Sequence, residues 1–378
     1  MAQIEEKGAG TPRKFLPLWK VFPLLRGMAI LAVVLTHAIV SYQGQAFQLE
    51  GGFQGEKPWL GIFFLPTPFW SFLHEWSSFA VPLFLFLSGH YLALSPHGGK
   101  AVWGRVKKLL LPYLFWSFLA WGLSWKKGSG WGVLHFLHLL LEGDAVPPFW
   151  FIILLLQYYI LAPWIVALVR RRPASTLAAA AFLQFTVTGW NYYQALARGQ
   201  AGYSLCFFPS LAFYVVLGIW AGLYPERLKA VLGRFKLPLA GALLAFFGAL
   251  MVGETAFLVN RMRGGGAMRA MLFGYSHWKV FCFPFSILAV FFLLDWGRRT
   301  GFKASWLRSA GKNAFTIYLA HWFFLQGLDF LYWHGLGALR GTAAVIALDF
   351  LVGVWGPLWM ARFVRARLPW AGNFLLGD

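Results

Sequence analysis

Ten apolar segments, most of them near twenty residues long, alternate with short polar connections along this chain. A helix needs about 20 apolar residues to cross the hydrocarbon core of a bilayer. Inside a bilayer the backbone must satisfy its own hydrogen bonds, which a helix does within one segment. We therefore predict an all-α polytopic membrane bundle of about ten transmembrane helices, at residues 18–41, 72–94, 109–125, 148–169, 174–192, 203–224, 238–259, 278–296, 312–333 and 342–364.

The composition excludes an ordinary soluble globule. Of the 378 residues 59% are hydrophobic and 12% charged, whereas soluble domains carry about 25% charged residues. The apolar segments occupy nearly the whole length, so we expect a single membrane domain over residues 1–378, with a flexible cytoplasmic start at 1–16. The net charge is +20, but the cations lie between apolar segments. They therefore indicate topology rather than nucleic-acid binding.

The distribution of Lys and Arg predicts the orientation. With the amino terminus placed inside, 24 of the 33 Lys and Arg residues fall on the inner side and nine on the outer side. Cytoplasmic connections carry such an excess. We expect both termini in the cytoplasm, and a multi-pass protein of the plasma or inner membrane.

The first apolar segment contains an arginine and a histidine, Arg26 and His37. In a helix, eleven residues make three turns plus about 20°, so both side chains would share one face, roughly 16 Å apart along the axis. Ionisable groups within a span usually mark a functional site. The alternatives are an Arg26 that snorkels to the inner surface and a His37 that only packs against a neighbouring helix.

A carboxylate and a long loop accompany the outer end of this segment. Glu75 opens the second segment beside His74, and it could hold one tautomer of His37 or simply face water at the interface. The connection at residues 43–71 is rich in Gly, Pro and aromatic residues. Such a long loop is either functional or an ordered cap over the bundle.

Four stretches resemble the acyltransferase-3 family of integral membrane acyltransferases. They are Arg26-Gly-Met-Ala-Ile with His37 eleven residues after the arginine, Pro82-Leu-Phe leading to Ser88-Gly89, the Pro148-Phe-Trp opening of the fourth segment, and the run from Ala310 to His321. His90 stands where the family usually has Tyr or Phe. We expect Ser88-Gly89 to serve close helix packing, since small residues let backbones approach.

The resemblance implies O-acyl transfer from a cytoplasmic acyl-coenzyme A, most often acetyl-coenzyme A, to a hydroxyl of an extracytoplasmic carbohydrate. It implies no resident cofactor and no metal. His37 would be the base or acyl carrier, supported by Arg26 and Glu75. Arg26, Arg105 and Lys108 would bind the donor phosphates. The family often has a second arginine where this chain has Lys108, and lysine acts as a point charge rather than a bidentate fork. Ordinary positive-inside charge is the alternative.

Two further interpretations remain open. Intramembrane His, Arg and Asp also suit a proton-coupled transporter or flippase, although no repeated half is visible in the sequence. His321 lies in the middle of the ninth segment and needs a partner, and either of the other carboxylates at membrane depth, Asp329 and Asp349, could be its counter-ion. We expect His321 to be structural.

Overall fold

The computed structural model describes residues 17–49, 68–124, 132–198, 204–261, 277–302 and 304–377. Within these ranges the chain forms α-helices, short 3-10 turns and connections. The helices are α1 Leu18–Leu49, α2 Pro68–Trp76, α3 Ala80–Leu94, α4 Gly99–Ser124, α5 Val133–Glu142, α6 Trp150–Arg171, α7 Pro173–Arg198, α8 Ala212–Leu223, α9 Pro225–Arg234, α10 Leu237–Arg261, α11 Cys282–Thr300, α12 Ser305–Lys312, α13 Ala314–His334, α14 Ala343–Arg367 and α15 Gly372–Leu375.

The all-α membrane bundle is confirmed, and the count of ten spans remains a prediction. A helix lies within each of the ten predicted segments. Among the described residues, 5 helical stretches are long and apolar enough to cross a membrane, by length and composition. They are Lys20–Gln45, Phe72–Leu94, Pro147–Arg171, Leu237–Leu258 and Ala343–Arg367. The position of the two termini also remains a prediction, and most of the predicted loop 43–71, together with residues 1–16, lies outside the described ranges.

The first helix is the centre of the bundle. It packs against α3, α11, α12, α13 and α14, and its apolar side chains Leu25, Ala29, Ile30 and Val34 are fully buried. A helix that contacts neighbours on most sides can direct a polar side chain only into an internal cavity. This arrangement carries Arg26 and His37 into the interior of the bundle.

Glycines set the close crossing of α3 and α8. A Cβ atom on Gly89 would clash with the carbonyl oxygen of Val215, and one on Gly218 with the carbonyl oxygen of Phe86. Gly222, one turn after Gly218, meets Ala93 and His90 in the same way. Without side chains the two backbones approach closely, as small residues allow in membrane helices. The prediction that Ser88-Gly89 serves helix packing is confirmed at the glycine.

The predicted span 203–224 is wrong in its extent, because residues 204–211 form turns and the helix begins only at Ala212. The side chain of Gln157 on α6 provides hydrogen-bond partners for backbone groups of these turns. Its Nε2 donates to the carbonyl oxygen of Cys206 at 2.7 Å, and its Oε1 accepts from the backbone N–H of Phe208 at 3.0 Å. Buried backbone groups outside a helix need such partners. Gln157 therefore stabilises an irregular segment.

Candidate active site

Two cavities open onto the face of α1 that carries Arg26 and His37. The first has a volume of about 380 Å³ and is lined by Arg26 together with Ser88, Tyr91, Tyr159, Phe151 and Tyr318. The second has a volume of about 410 Å³ and is lined by His37 together with His74, His277 and Trp322, and again by Phe151 and Tyr318. The shared lining residues place the two cavities next to each other. The predicted common face of Arg26 and His37 is confirmed.

Phe151 and Tyr318 form the boundary between the cavities. Their rings meet edge to face, with centroids 5.7 Å apart. The hydroxyl of Tyr318 donates a hydrogen bond to the carbonyl oxygen of Pro148, in the turn before α6. This bond holds Tyr318 where it borders both cavities, together with Phe151.

His37 lies beside a second histidine. Its ring centroid is 5.2 Å from that of His321 and 5.5 Å from that of Trp322. Nδ1 of His321 lies 3.0 Å from the carbonyl oxygen of Ile317 and 2.8 Å from that of Tyr318. Carbonyl oxygens only accept hydrogen bonds, so the proton is assigned to Nδ1 and Nε2 is an acceptor. That Nε2 is buried and has no hydrogen-bond partner in the described part of the chain.

The suggested carboxylate partners of His321 are wrong. Asp349 accepts a hydrogen bond from the hydroxyl of Tyr332 at 3.0 Å, and Asp329 accepts one from Nε2 of Gln45 at 3.1 Å. The helix's own carbonyl groups orient the imidazole instead. Sequence separation could not distinguish these possibilities, because it says nothing about the direction of the ring.

Glu75 is engaged away from His37. Its carboxylate is paired with the ammonium of Lys279 and accepts a hydrogen bond from Oγ1 of Thr255 at 3.1 Å. It does not line the His37 cavity, whereas its neighbour His74 does. The interpretation in which Glu75 orients His37 is therefore corrected, because Lys279 and Thr255 occupy its oxygens. No sequence pattern indicates this pairing, because the two residues are 204 positions apart.

Arg26 makes no hydrogen bond or ion pair among the residues that the structure describes, although it lines a cavity. Arg26 and Arg105 both lie close enough to Tyr159 to act electrostatically on its hydroxyl. A cation without a partner inside a membrane bundle has a high free-energy cost. The arrangement is therefore suited to an anionic ligand that reaches the cavity.

The other two residues predicted to bind the donor, Arg105 and Lys108, differ in their surroundings. Arg105 donates to the carbonyl oxygen of Pro96 at 2.8 Å, and its Nε and Nη2 are buried without a hydrogen-bond partner in the described structure. Burial, together with the nearby Arg105 and Arg170, lowers the pKa of His97 in the connection between α3 and α4. Lys108 is exposed. Neither Arg105 nor Lys108 lines the Arg26 cavity. Arg105 is related to Arg26 only because both act electrostatically on Tyr159.

Sequence reasoning missed several lining residues of the His37 cavity. His74 and His277 come from distant parts of the chain, and Trp150 and Trp322 add aromatic surface. Nδ1 of His277 is buried without a hydrogen-bond partner in the described ranges. Aromatic faces beside polar imidazoles provide the mixture of apolar and hydrogen-bonding surface that orients a polar ligand. The sequence shows His277 next to Trp278, but such a pair does not by itself distinguish a ligand-binding surface from an interfacial aromatic belt.

The structure thus combines an all-α membrane fold with an arginine-lined cavity and a histidine-lined cavity beside one helix. The chain belongs to the acyltransferase-3 family: the family model described as Acyltransferase domain matches residues 22–362. No curated protein and no solved structure gives a significant match.

Proposed function

We propose that this membrane acyltransferase moves an acyl group, most often acetyl, from cytoplasmic acyl-coenzyme A to a hydroxyl of an extracytoplasmic carbohydrate. The observation that carries the proposal is the pair of adjoining cavities on α1. One is lined by the unpaired Arg26 and the other by His37, with Phe151 and Tyr318 between them. No resident cofactor or metal is required, since acyl-coenzyme A is a substrate.

The Arg26 cavity is the proposed donor site. Acyl-coenzyme A carries several phosphates at one end and its thioester at the end of a long, thin pantetheine chain. The phosphates would remain near Arg105, Lys108 and the cytoplasmic surface, where Arg170 adds a further cation. Arg26 lines the cavity itself and would bind the phosphate group nearest to the pantetheine chain. The thioester would then reach the boundary formed by Phe151 and Tyr318.

The His37 cavity is the proposed acceptor site. The imidazole of His37 would take the proton from an acceptor hydroxyl, whose oxygen attacks the thioester carbonyl carbon. The carbon–sulfur bond then breaks, and the imidazolium returns the proton to the leaving thiolate. If His37 instead carries the acyl group, its nitrogen attacks first and the acceptor hydroxyl removes the acyl group in a second step. His74, His277 and Trp322 would bind the acceptor.

The test is an assay of purified protein in lipid with radiolabelled acetyl-coenzyme A and a carbohydrate acceptor mixture. The wild type should release coenzyme A, and label should appear on the acceptor or on the protein. His37→Ala should be folded and slower by about 10²–10⁴-fold if it acts as a base, with a larger loss favouring a covalent role.

His321→Ala is the matched control, because it removes the neighbouring imidazole. We expect it to be less stable but partly active per folded molecule. Melting temperature and specific activity are measured for both variants. A dead His321→Ala with an active His37→Ala would move the chemistry to α13. If the wild type releases no coenzyme A but moves a labelled polysaccharide precursor across the membrane, the protein is a transporter.

A further inference from the structure

A third cavity lies apart from the two already described, between the start of α1 and α12. Its volume is about 600 Å³, and the residues that line it are Lys20, Pro23, Ser305, Arg308, Ser309 and Lys312. Three of these six carry a positive charge and two carry a hydroxyl group. No carboxylate of the described residues lines the cavity. None of these residues lines the Arg26 or His37 cavity, so the proposed acyl transfer leaves this cavity unexplained.

The cationic side chains of this cavity are held in place by the surrounding structure. Nε of Arg308 is buried and has no hydrogen-bond partner in the described residues, while its Nη2 donates to the carbonyl oxygen of Phe302 at 3.3 Å. That bond fixes the guanidinium. Helix α12 begins at Ser305 after Ala304, which provides no side-chain cap. The free N–H groups of a helix start add partial positive charge.

The two helices that form the cavity are held together tightly. A Cβ atom on Gly311 would clash with the carbonyl oxygen of Pro23, and one on Gly27 with the carbonyl oxygen of Leu307. The backbones of α1 and α12 therefore touch at two places beside the cavity. This contact fixes the spacing between Lys20 on α1 and the cations of α12.

Positive charge, hydroxyl groups and free N–H donors together form the chemistry of a phosphate site. We propose that this cavity binds a phosphate group, and that its source is the headgroup of an anionic phospholipid. Large aromatic side chains favour the lipid over a soluble phosphate. Phe302 is 47% exposed and Trp306 53% exposed beside the cavity, and such rings prefer the headgroup level of a bilayer.

Binding there has a consequence for the bundle. A headgroup that contacts Lys20, Arg308 and Lys312 would join the start of α1 to α12. Arg26 lies less than two turns further along α1. Because a ligand that binds only the folded state stabilises it by mass action, the lipid should raise the melting temperature.

The experiment titrates the full-length protein, purified in a neutral detergent, with phosphatidylglycerol while the melting temperature is measured. Phosphatidylcholine is the zwitterionic control, and 3′,5′-adenosine diphosphate tests a soluble phosphate. The double variant Arg308→Gln/Lys312→Gln removes two cations of the cavity. The matched control, Lys100→Gln/Arg172→Gln, removes two exposed cations elsewhere.

We expect phosphatidylglycerol, and not phosphatidylcholine, to raise the melting temperature of the wild type and of the control. A juxtamembrane cation contributes about 1 kcal/mol to anionic lipid binding, which is about a fivefold change in affinity. The double variant should therefore need about 25-fold more phosphatidylglycerol for the same shift. If it does not fold, the single variant Lys312→Gln should need about fivefold more.

The remaining outcomes are decisive as well. Stabilisation by 3′,5′-adenosine diphosphate alone, lost in the double variant, would keep the phosphate site but assign it to a nucleotide. An equal loss in the control and cavity variants would show that general charge is responsible, and the proposal would be overturned. Absence of any lipid or nucleotide effect in the wild type would also overturn it. Acyl transfer is not part of the readout, so the result is independent of the proposed reaction.

Discussion

The buried pair of Glu75 and Lys279 allows a test of whether Glu75 supports the structure or the chemistry. The side chains are 2% and 0% exposed, respectively. Removal of one partner leaves the other as an uncompensated buried charge, which costs about 3–5 kcal/mol of folding free energy. We expect Glu75→Met and Lys279→Met each to lose about this much.

The surroundings offer little compensation to either single variant. In Glu75→Met, the ammonium of Lys279 would keep Oγ1 of Thr255, now 2.9 Å away, as an acceptor. The other nearby carboxylate, Glu254, already accepts the backbone N–H groups of Val280 at 2.7 Å and Phe281 at 2.9 Å. Its charge acts on Lys279, but its oxygens are already held by these two bonds, so it should replace Glu75 only in part and most of the cost should appear.

The double variant Glu75→Met/Lys279→Met removes both charges and keeps similar side-chain volume. Thr255 remains satisfied, because its hydroxyl also lies 3.0 Å from the carbonyl oxygen of Met251. Replacement of a whole buried ion pair by apolar residues is often neutral or stabilising. We therefore expect the double variant to regain a melting temperature close to that of the wild type.

The assay is a double-mutant cycle of thermal unfolding in detergent, together with acyl transfer per folded molecule. If the pair is structural, stability and activity return together in the double variant. A double variant that is no more stable than the singles would refute the analysis of the ion pair. A stable but inactive double variant would show that Glu75 or Lys279 also takes part in the chemistry, in addition to its structural role.

Three other predictions concern the donor site, helix packing and topology. Arg26→Ala should raise the Michaelis constant for acyl-coenzyme A, since loss of a charge-assisted contact weakens binding by about 1.5–3 kcal/mol; unchanged kinetics would leave Arg26 as a snorkelling residue. Gly89→Ala should lower the melting temperature, since overpacking costs about 1–3 kcal/mol. Gly122→Ala, where a Cβ meets nothing within 4 Å, should be neutral or stabilising, and equal effects would argue against the close crossing. Cysteine reporters at Gly98 and Gly301 should not react with a membrane-impermeant reagent in intact cells and should react once the cells are permeabilised. Labelling of Gly301 in intact cells would contradict the predicted topology.

The helices and the common face of Arg26 and His37 could be predicted from the sequence. Hydrophobicity over about twenty residues reports directly on the solvent that a segment meets. The period of 3.6 residues fixes which side chains share a face. The role of Gly89 in helix packing could also be predicted from the sequence, because a residue without a side chain allows two helices to cross closely.

The partners of these residues were decided by the tertiary structure alone. His321 lies beside His37, and Lys279 pairs with Glu75, because α13 and the turn before α11 pack where they do. Helical periodicity orders side chains within one helix but says nothing about which faces of two distant helices meet. The sequence therefore determined the membrane bundle and the polar face of its first helix. The packing of the other helices decided that this face borders two adjoining cavities, and which side chains line each of them.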